Sequence, residues 1–264
     1  MKTKLTFTGL RDLKRVGEKI ASLTAYDACF ARLLDEAGVD VILVGDSLGM
    51  VVHEEKTTLH VTMEDMVYHT RIAGKHVERA FFIADLPYHS YATPFQALEN
   101  AGRLLDAGAE AVKLEGGEEI IDAVRHLIEH DVQVCGHLGL LPQSIEKYGG
   151  FKVQGREEKD AEKILNHARL LEEAGVGAIV LECIPAALAA EISRALQIPT
   201  IGIGAGPDCD GQVLVLYDVL GISSYIPRMA NDFVRGRGSI REAIEAYVAA
   251  VKSGAFPAAE QSFS

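Results

Sequence analysis

Glu36-Ala-Gly-Val-Asp-Val-Ile-Leu-Val44, Asp106-Ala-Gly-Ala-Glu-Ala-Val-Lys-Leu114 and Glu173-Ala-Gly-Val-Gly-Ala-Ile-Val-Leu181 are three copies of one joint. Each ends a helical pattern at an Ala-Gly pair and enters a short apolar run, so glycine serves as the left-handed exit of a helix that feeds a strand. The copies start 70 and 67 residues apart, or two units of about 34 residues, the length of a strand, crossover helix and loops. The whole chain of 264 residues therefore has room for eight such units.

Seven apolar, β-branched runs are legible at residues 20–26, 39–44, 80–84, 111–114, 132–135, 177–181 and 198–203, and an eighth is expected near 219–223. Runs of this kind suit strands buried on both faces of a parallel sheet. Between them lie helices, most clearly the one entered at Thr93-Pro-Phe-Gln96 and left at Gly108, where a cap, a first-turn proline and a capping-box glutamine stand in order. An open doubly wound sheet would place a glycine-rich loop after the first strand. Here that strand ends Thr24-Ala-Tyr-Asp27, and the glycine-rich Gly202-Ile-Gly-Ala-Gly206 follows the seventh. The expected fold is α/β, a single eight-stranded α/β (TIM) barrel over residues 1–264, since no linker or composition shift divides the chain. The Ala-, Pro- and Ser-rich tail 252–264 is expected to pack loosely or against a neighbouring subunit.

Composition narrows the function. With 26 Lys and Arg against 38 Asp and Glu, the net charge is −12, and no basic run offers a nucleic-acid footprint. The N-terminal stretch lacks an apolar signal core and no segment is long and apolar enough to span a bilayer. Four isolated cysteines without a C-x-x-C pair read as reduced thiols, and the expected location is the cytoplasm.

Active sites of such barrels lie where the strands end, and those ends carry an unusual set. Strand two ends at Asp46-Ser47, strand three at Asp85, strand four in Lys113-Leu-Glu115, strand five at His137 and strand six at Glu182. A single strand-end acid commonly caps the next helix, but four converging carboxylates raise one another's pKa unless a cation neutralises them. Oxygen ligands without cysteine favour Mg2+ or Mn2+, with Asp46, Asp85 and Glu115 on adjacent strands the best-placed ligands. Lys113 and Glu115 share a face of their strand, so Lys113 lies one layer deeper. It either holds a substrate oxygen or developing enolate or forms a structural ion pair. His137 either orients a ligand and shuttles a proton or is simply hydrogen bonded.

Two further motifs compete for attention. His126-Leu-Ile-Glu-His130 fits the H-x-x-E-H metal pattern, but it ends a helix that leads into strand five, on the face opposite the rim. Gly202–Gly206 either cradles a phosphate or allows close approach of a large ligand.

Taken in order, Thr24-Ala-Tyr-Asp27, Val44-Gly-Asp-Ser-Leu-Gly49, Ala84-Asp-Leu-Pro87, Tyr91-Ala-Thr-Pro94, Val112-Lys-Leu-Glu-Gly-Gly117, Cys135-Gly-His-Leu-Gly-Leu140, Lys152-Val-Gln-Gly-Arg156, Leu181-Glu-Cys183 and Ile201-Gly-Ile-Gly-Ala-Gly206 closely resemble the ketopantoate hydroxymethyltransferase family. The resemblance implies hydroxymethyl transfer from the co-substrate 5,10-methylenetetrahydrofolate to 3-methyl-2-oxobutanoate, giving 2-dehydropantoate on the route to pantothenate, with one Mg2+ per subunit. It implies Asp46, Asp85 and Glu115 around the metal, Asp46, Ser47, Asp85 and Lys113 as substrate contacts, and Glu182 as base. His137 carries over as a residue that orients substrate or its partners. It further implies small-molecule substrates, no nucleic-acid or membrane partner, and a homo-oligomer, commonly a decamer. The loop 47–62 after strand two is a candidate lid over a large folate. The rival readings are a metal-dependent lyase or mutase acting on another 2-oxo acid and a barrel retained only for binding.

Overall fold

The computed structural model describes residues 3–264. Eight parallel strands close on themselves in sequence order: β1 (Ile20–Thr24), β2 (Val41–Val44), β3 (Phe81–Asp85), β4 (Ala111–Glu115), β5 (Val134–Gly139), β6 (Ala178–Glu182), β7 (Thr200–Ile203) and β8 (Gly211–Leu214). All strand residues are buried, as expected of a sheet with side chains filling one face and helices covering the other. The expected (β/α)8 barrel is therefore the observed architecture.

The three repeated joints fold alike. Gly38, Gly108 and Gly175 have φ of 89°, 110° and 103°. The next residue's N–H returns five residues to a helix carbonyl each time: Val39 to Leu34 (3.1 Å), Ala109 to Leu104 (3.0 Å) and Val176 to Leu171 (3.2 Å). This is the Schellman exit. Nothing lies within 4 Å of a β-carbon built at Gly38 or Gly108, so backbone conformation rather than space selects glycine there. At the other end of a helix, Thr93 accepts the Gln96 N–H at 3.2 Å, and Gln96 Oε1 accepts the Ala92 N–H at 3.0 Å.

Two expectations are corrected. The eighth strand is Gly211–Leu214, paired with β1 from Ile20↔Gly211 to Leu23↔Leu214, whereas residues 219–223 finish the short helix Leu216–Val219 and turn away. Residues 204–210 join β7 to β8 without a helix, so the spacing of the earlier units overshoots the strand. The tail 252–264 is also not loose. Phe256 is buried, Arg228 donates to Glu260 O (2.7 Å) and Ser262 O (3.1 Å), and Ala186 N–H donates to Phe263 O at 2.9 Å. The composition of the tail is bland, but its aromatic anchors bind the chain's own rim.

The N-terminal helix Phe7–Val16 plugs the barrel floor. The Phe7 ring occupies the space left by Gly177, where a β-carbon would fall 2.2 Å from it, and meets Phe81 edge-on at 4.6 Å. Leu10 closes the bottom of the interior beside Ser22, Val41 and Cys135. The last helix, Ile240–Lys252, is tied to the wall by Tyr247, whose hydroxyl donates to Ser22 O (2.9 Å) and Gln212 O (3.0 Å). With floor and wall fixed, the open cavity lies at the rim. Among the described residues no helix is long and apolar enough to cross a membrane.

Candidate active site

The pairing of β2 to β6 sets the site. Asp85 stands opposite Lys113, Glu115 opposite His137 and Gly139 opposite Glu182, so strand ends that are distant in sequence become cross-strand neighbours. Asp46, Asp85, Lys113, Glu115, His137 and Glu182 are each only 2–8% exposed, yet all line one open cavity of about 670 Å3. Ser47 lines it too, its hydroxyl 2.8 Å from Tyr26 Oη. Every rim residue singled out in the sequence is thus brought to one place.

Lys113 Nζ lies 3.0 Å from Asp85 Oδ1, 3.9 Å from Glu115 Oε1 and 3.3 Å from His137 Nδ1. His137 bridges two acids, with Nδ1 3.3 Å from Glu115 Oε1 and Nε2 3.2 Å from Glu182 Oε2. Asp85 Oδ2 accepts the Asp46 N–H at 3.0 Å. Even with both bases charged, four carboxylates face one lysine and one histidine. The electrostatics follow. Burial, reinforced by Asp85 and Glu115, pushes Asp46 well above the usual carboxylate range. Burial also raises Asp85 despite the opposing pull of Lys113. Burial opposes ionisation of Glu115, but His137 and Lys113 hold it below its ordinary value. Burial and Lys113 disfavour the imidazolium, yet Glu115 and Glu182 push His137 up to about 9.

Asp85 Oδ1, Glu115 Oε1 and His137 Nε2 are buried with only one another's charged groups as partners and no well-aligned hydrogen bond. Buried polar atoms so thinly partnered leave room for a ligand or ion to complete the bonding. The acid excess and the oxygen donors fit a hard divalent cation. Among the described residues, however, no three His, Cys, Asp or Glu side chains are grouped so as to hold a metal by themselves. Lys113 stands between Asp85 and Glu115, 3.0 and 3.9 Å from their nearer oxygens. The donors fit a cation that takes one or two carboxylates and fills its other positions from substrate and water.

Gln143 was not anticipated from sequence. It is buried, donates from Nε2 to Asp46 Oδ2 (2.8 Å) and Leu86 O (2.9 Å), and donates its backbone N–H to Glu115 Oε2 (3.0 Å). Tyr91, whose hydroxyl hydrogen bonds to Gln143 Oε1, completes this brace over the rim. The one available signal was a lone amide in an apolar stretch, Leu140-Leu-Pro-Gln143, just past β5. Met50, Val51, Glu54, Glu55, Lys56 and Thr58, from the segment expected to serve as a lid, line the cavity mouth.

The alternative motifs fall elsewhere. His126 lies in the last turn of the helix Ile121–Glu129 and His130 caps it, at the end that enters β5. Gly204 and Gly206 allow close approach of the chain's own side chains. A β-carbon on Gly204 would meet Phe263 at 2.8 Å, and one on Gly206 would meet Ala186 at 2.5 Å, so the chain itself fills that room.

The family model described as Ketopantoate hydroxymethyltransferase matches residues 4–259. A 3-methyl-2-oxobutanoate hydroxymethyltransferase of Shewanella loihica is 54% identical over 263 residues, covering 99% of this chain and 100% of the relative. One from Alteromonas mediterranea is 53% identical over 261 residues, covering 98% and 99%. Among solved structures, a phosphonopyruvate hydrolase in complex with oxalate and Mg2+ is similar with a TM-score of 0.61 and 14% identity, covering 90% of this chain and 93% of that one. A 2,3-dimethylmalate lyase of the PEP mutase/isocitrate lyase superfamily gives 0.55 and 18%, covering 74% and 70%. At those identities the structures speak for the barrel alone. The full-length sequence match speaks for more: this chain belongs to the ketopantoate hydroxymethyltransferase family.

Proposed function

We propose that the chain, acting as one catalytic domain, transfers a hydroxymethyl group from 5,10-methylenetetrahydrofolate to 3-methyl-2-oxobutanoate. The products are 2-dehydropantoate and tetrahydrofolate, with uptake of one water. The observation that carries the reading is the buried rim of four carboxylates around one lysine and one histidine, opening into a cavity of about 670 Å3. A site with an acid excess suits a cation and an anionic 2-oxo acid held together.

Asp46 and Asp85 are the residues that would hold Mg2+, with Glu115 joined to them through Lys113 and Gln143. Bound there, the cation would draw charge from the ketone and carboxylate of the 2-oxo acid and acidify its C3 hydrogen. Glu182, exposed to the cavity at the end of β6, removes that proton. His137, 3.2 Å from Glu182 Oε2, orients the carboxylate before transfer. The Lys113 ammonium, which Asp85, Glu115 and Asp46 hold charged against the cost of burial, stabilises the oxygen on which enolate charge develops. Ser47 adds a hydroxyl contact at the same edge. The C3 carbon then bonds to the one-carbon unit as that carbon's bonds to folate N5 and N10 break; water supplies the hydroxyl oxygen, and the C3 proton with the two hydrogens of water is shared out among the new hydroxyl, N5 and N10. The segment 47–62 closes the mouth over both substrates.

The acidic composition and four unpaired cysteines support a cytoplasmic enzyme. The family resemblance supports a homodecamer with one Mg2+ per subunit. The deciding assay is formation of 2-dehydropantoate with both substrates and Mg2+, repeated with chelator and without folate. Product that requires both supports the assignment. Turnover of a 2-oxo acid without folate would move the site to a lyase or mutase reaction.

A further inference from the structure

Glu182 ends β6, and the residue after it leaves ordinary backbone geometry. Cys183 has φ of 47°, a left-handed conformation that residues with a β-carbon seldom adopt and that persists only where the surroundings fix it. Here they do so from several sides. Cys183 N–H donates to Ile203 O at 2.9 Å, Gln154 N–H donates to Cys183 O at 2.9 Å, and Leu140 N–H donates to Glu182 O at 2.8 Å. The Cys183 side chain enters a small apolar cluster with Leu140, Ile145, Met229 and Phe263, its Sγ 3.5 Å from Met229 Sδ.

Phe263 belongs to this cluster from the far end of the chain. Its ring sits where a β-carbon on Gly204 would come within 2.8 Å, and Gly204 follows Ile203, the cross-strand partner of Glu182. Its carbonyl accepts the N–H of Ala186 at 2.9 Å, the first residue of the helix Ala186–Ala195 that leaves β6. Arg228 pins the ring from outside, 5.2 Å from its centroid, while its guanidinium donates to Glu260 O and Ser262 O. Met229, next to Arg228, both joins the cluster and lines the cavity with Glu182.

We propose that Phe263, pinned by Arg228, is a positioning residue for Glu182. The closing segment of the chain fixes the Glu182–Cys183 turn, and so the direction in which the carboxylate meets the C3 hydrogen. The inference rests on the reading of Glu182 as the base. Substrate is held by β2 to β4, on the other side of the cavity, so loosening this turn changes proton transfer more than binding. Displacements of about 1 Å at a reacting group can cost up to about 100-fold in rate.

The test is exchange of the C3 proton of 3-methyl-2-oxobutanoate for deuterium in D2O, followed by NMR with Mg2+ and no folate. It uses the full chain and the variants Phe263→Ala, Phe263→Leu, Arg228→Ala, Glu182→Gln and the Glu182→Gln/Phe263→Ala pair. Phe263→Ala is expected to lower exchange kcat by about tenfold or more, with KM within about twofold. Phe263→Leu restores most of the rate, and Arg228→Ala loses about threefold. In the double variant the Phe263 change adds no further loss to that of Glu182→Gln, because it acts through that carboxylate.

Wild-type kcat in Phe263→Ala, a rise in KM alone, or losses that multiply in the double variant would each overturn the proposal. Undiminished exchange by Glu182→Gln alone would instead remove the base, and the positioning role with it. If Phe263→Ala does not fold, Arg228→Ala decides: a kcat loss at unchanged KM supports the proposal, and none overturns it.

Discussion

At the floor of the barrel Asp40 faces Arg79 Nη1 at 3.2 Å and Lys252 Nζ at 2.6 Å, and Asp210 faces Lys14 Nζ at 2.8 Å. At the rim four carboxylates share Lys113 and His137. Both belts are largely buried, but they are finished differently. Floor acids also accept backbone donors, Asp40 from Ala21 N–H (3.0 Å) and Asp210 from Thr200 N–H (2.8 Å). The rim instead sets four carboxylates against Lys113 and His137 alone. The floor gives each acid its own cation, whereas the rim carries an excess of acid that suits a positively charged ligand. That excess, rather than the presence of acids, marks the working end of this barrel.

The sharpest way to break that comparison is to neutralise the acid assigned to chemistry alone. Glu182→Gln keeps the shape of the side chain and lowers the acid excess, so the protein is expected to fold as before while kcat falls by about 10²–10⁴-fold. Steady-state formation of 2-dehydropantoate, with KM for the 2-oxo acid as the internal control, checks it. Wild-type turnover would transfer the base role to another group.

A divalent cation should act on the rim alone. At about 100 times its Kd, Mg2+ is expected to stabilise the wild-type protein by about 2.7 kcal/mol, read as a rise in thermal midpoint. Asp46→Asn should abolish most of that rise, and Asp40→Asn should leave it intact. A rise that survives Asp46→Asn would place the cation away from the expected ligands.

Without metal, the same two substitutions should move stability in opposite directions. Asp40→Asn leaves Arg79 and Lys252 facing an uncharged amide and is expected to cost on the order of 2 kcal/mol, below the range for fully buried pairs because both cations are partly exposed. Asp46→Asn removes a charge that burial, Asp85 and Glu115 all disfavour, while its amide oxygen still accepts from Gln143. A gain of about 1 kcal/mol is expected. Urea unfolding in chelator measures both, and changes of equal sign would erase the distinction between the two ends.

This contrast explains what could be read from the sequence. Asp46, Asp85, Glu115, His137 and Glu182 were legible because each ends or closely follows an apolar run, and strand ends of a barrel share one rim. Seven strands were legible for the same reason. β8 was not, because Gly211-Gln-Val-Leu214 is short, carries a glutamine and follows β7 without a helix. Gln143 and Tyr91 escaped because their role comes from loops that converge only in space. The tail escaped because Phe263 finds its seat at Gly204, a partner that local pattern cannot supply. The placing of Lys113 between Asp85 and Glu115 was likewise a matter of distances, which alternation along a strand does not give.

The smallest effect concerns His126, whose ring lies 4.4 Å from His130 and 5.2 Å from Phe95. Its Nε2 is also buried without a partner, so an unsatisfied atom by itself does not make a site. What it lacks is an excess of acid: its recorded neighbours are the rings of His130 and Phe95, among the described residues no ion pair joins it to a carboxylate, and the helix end it occupies enters β5 from below. His126→Ala is expected to leave kcat within about twofold and to change stability by no more than about 1 kcal/mol, since the lost ring contacts are offset by removal of the unpaired nitrogen. Activity with and without added Mg2+, beside a urea melt, checks both. Loss of the Mg2+ response in this variant would mean that a second end of the molecule answers to the cation, and the rim would no longer be singled out by its excess of acid.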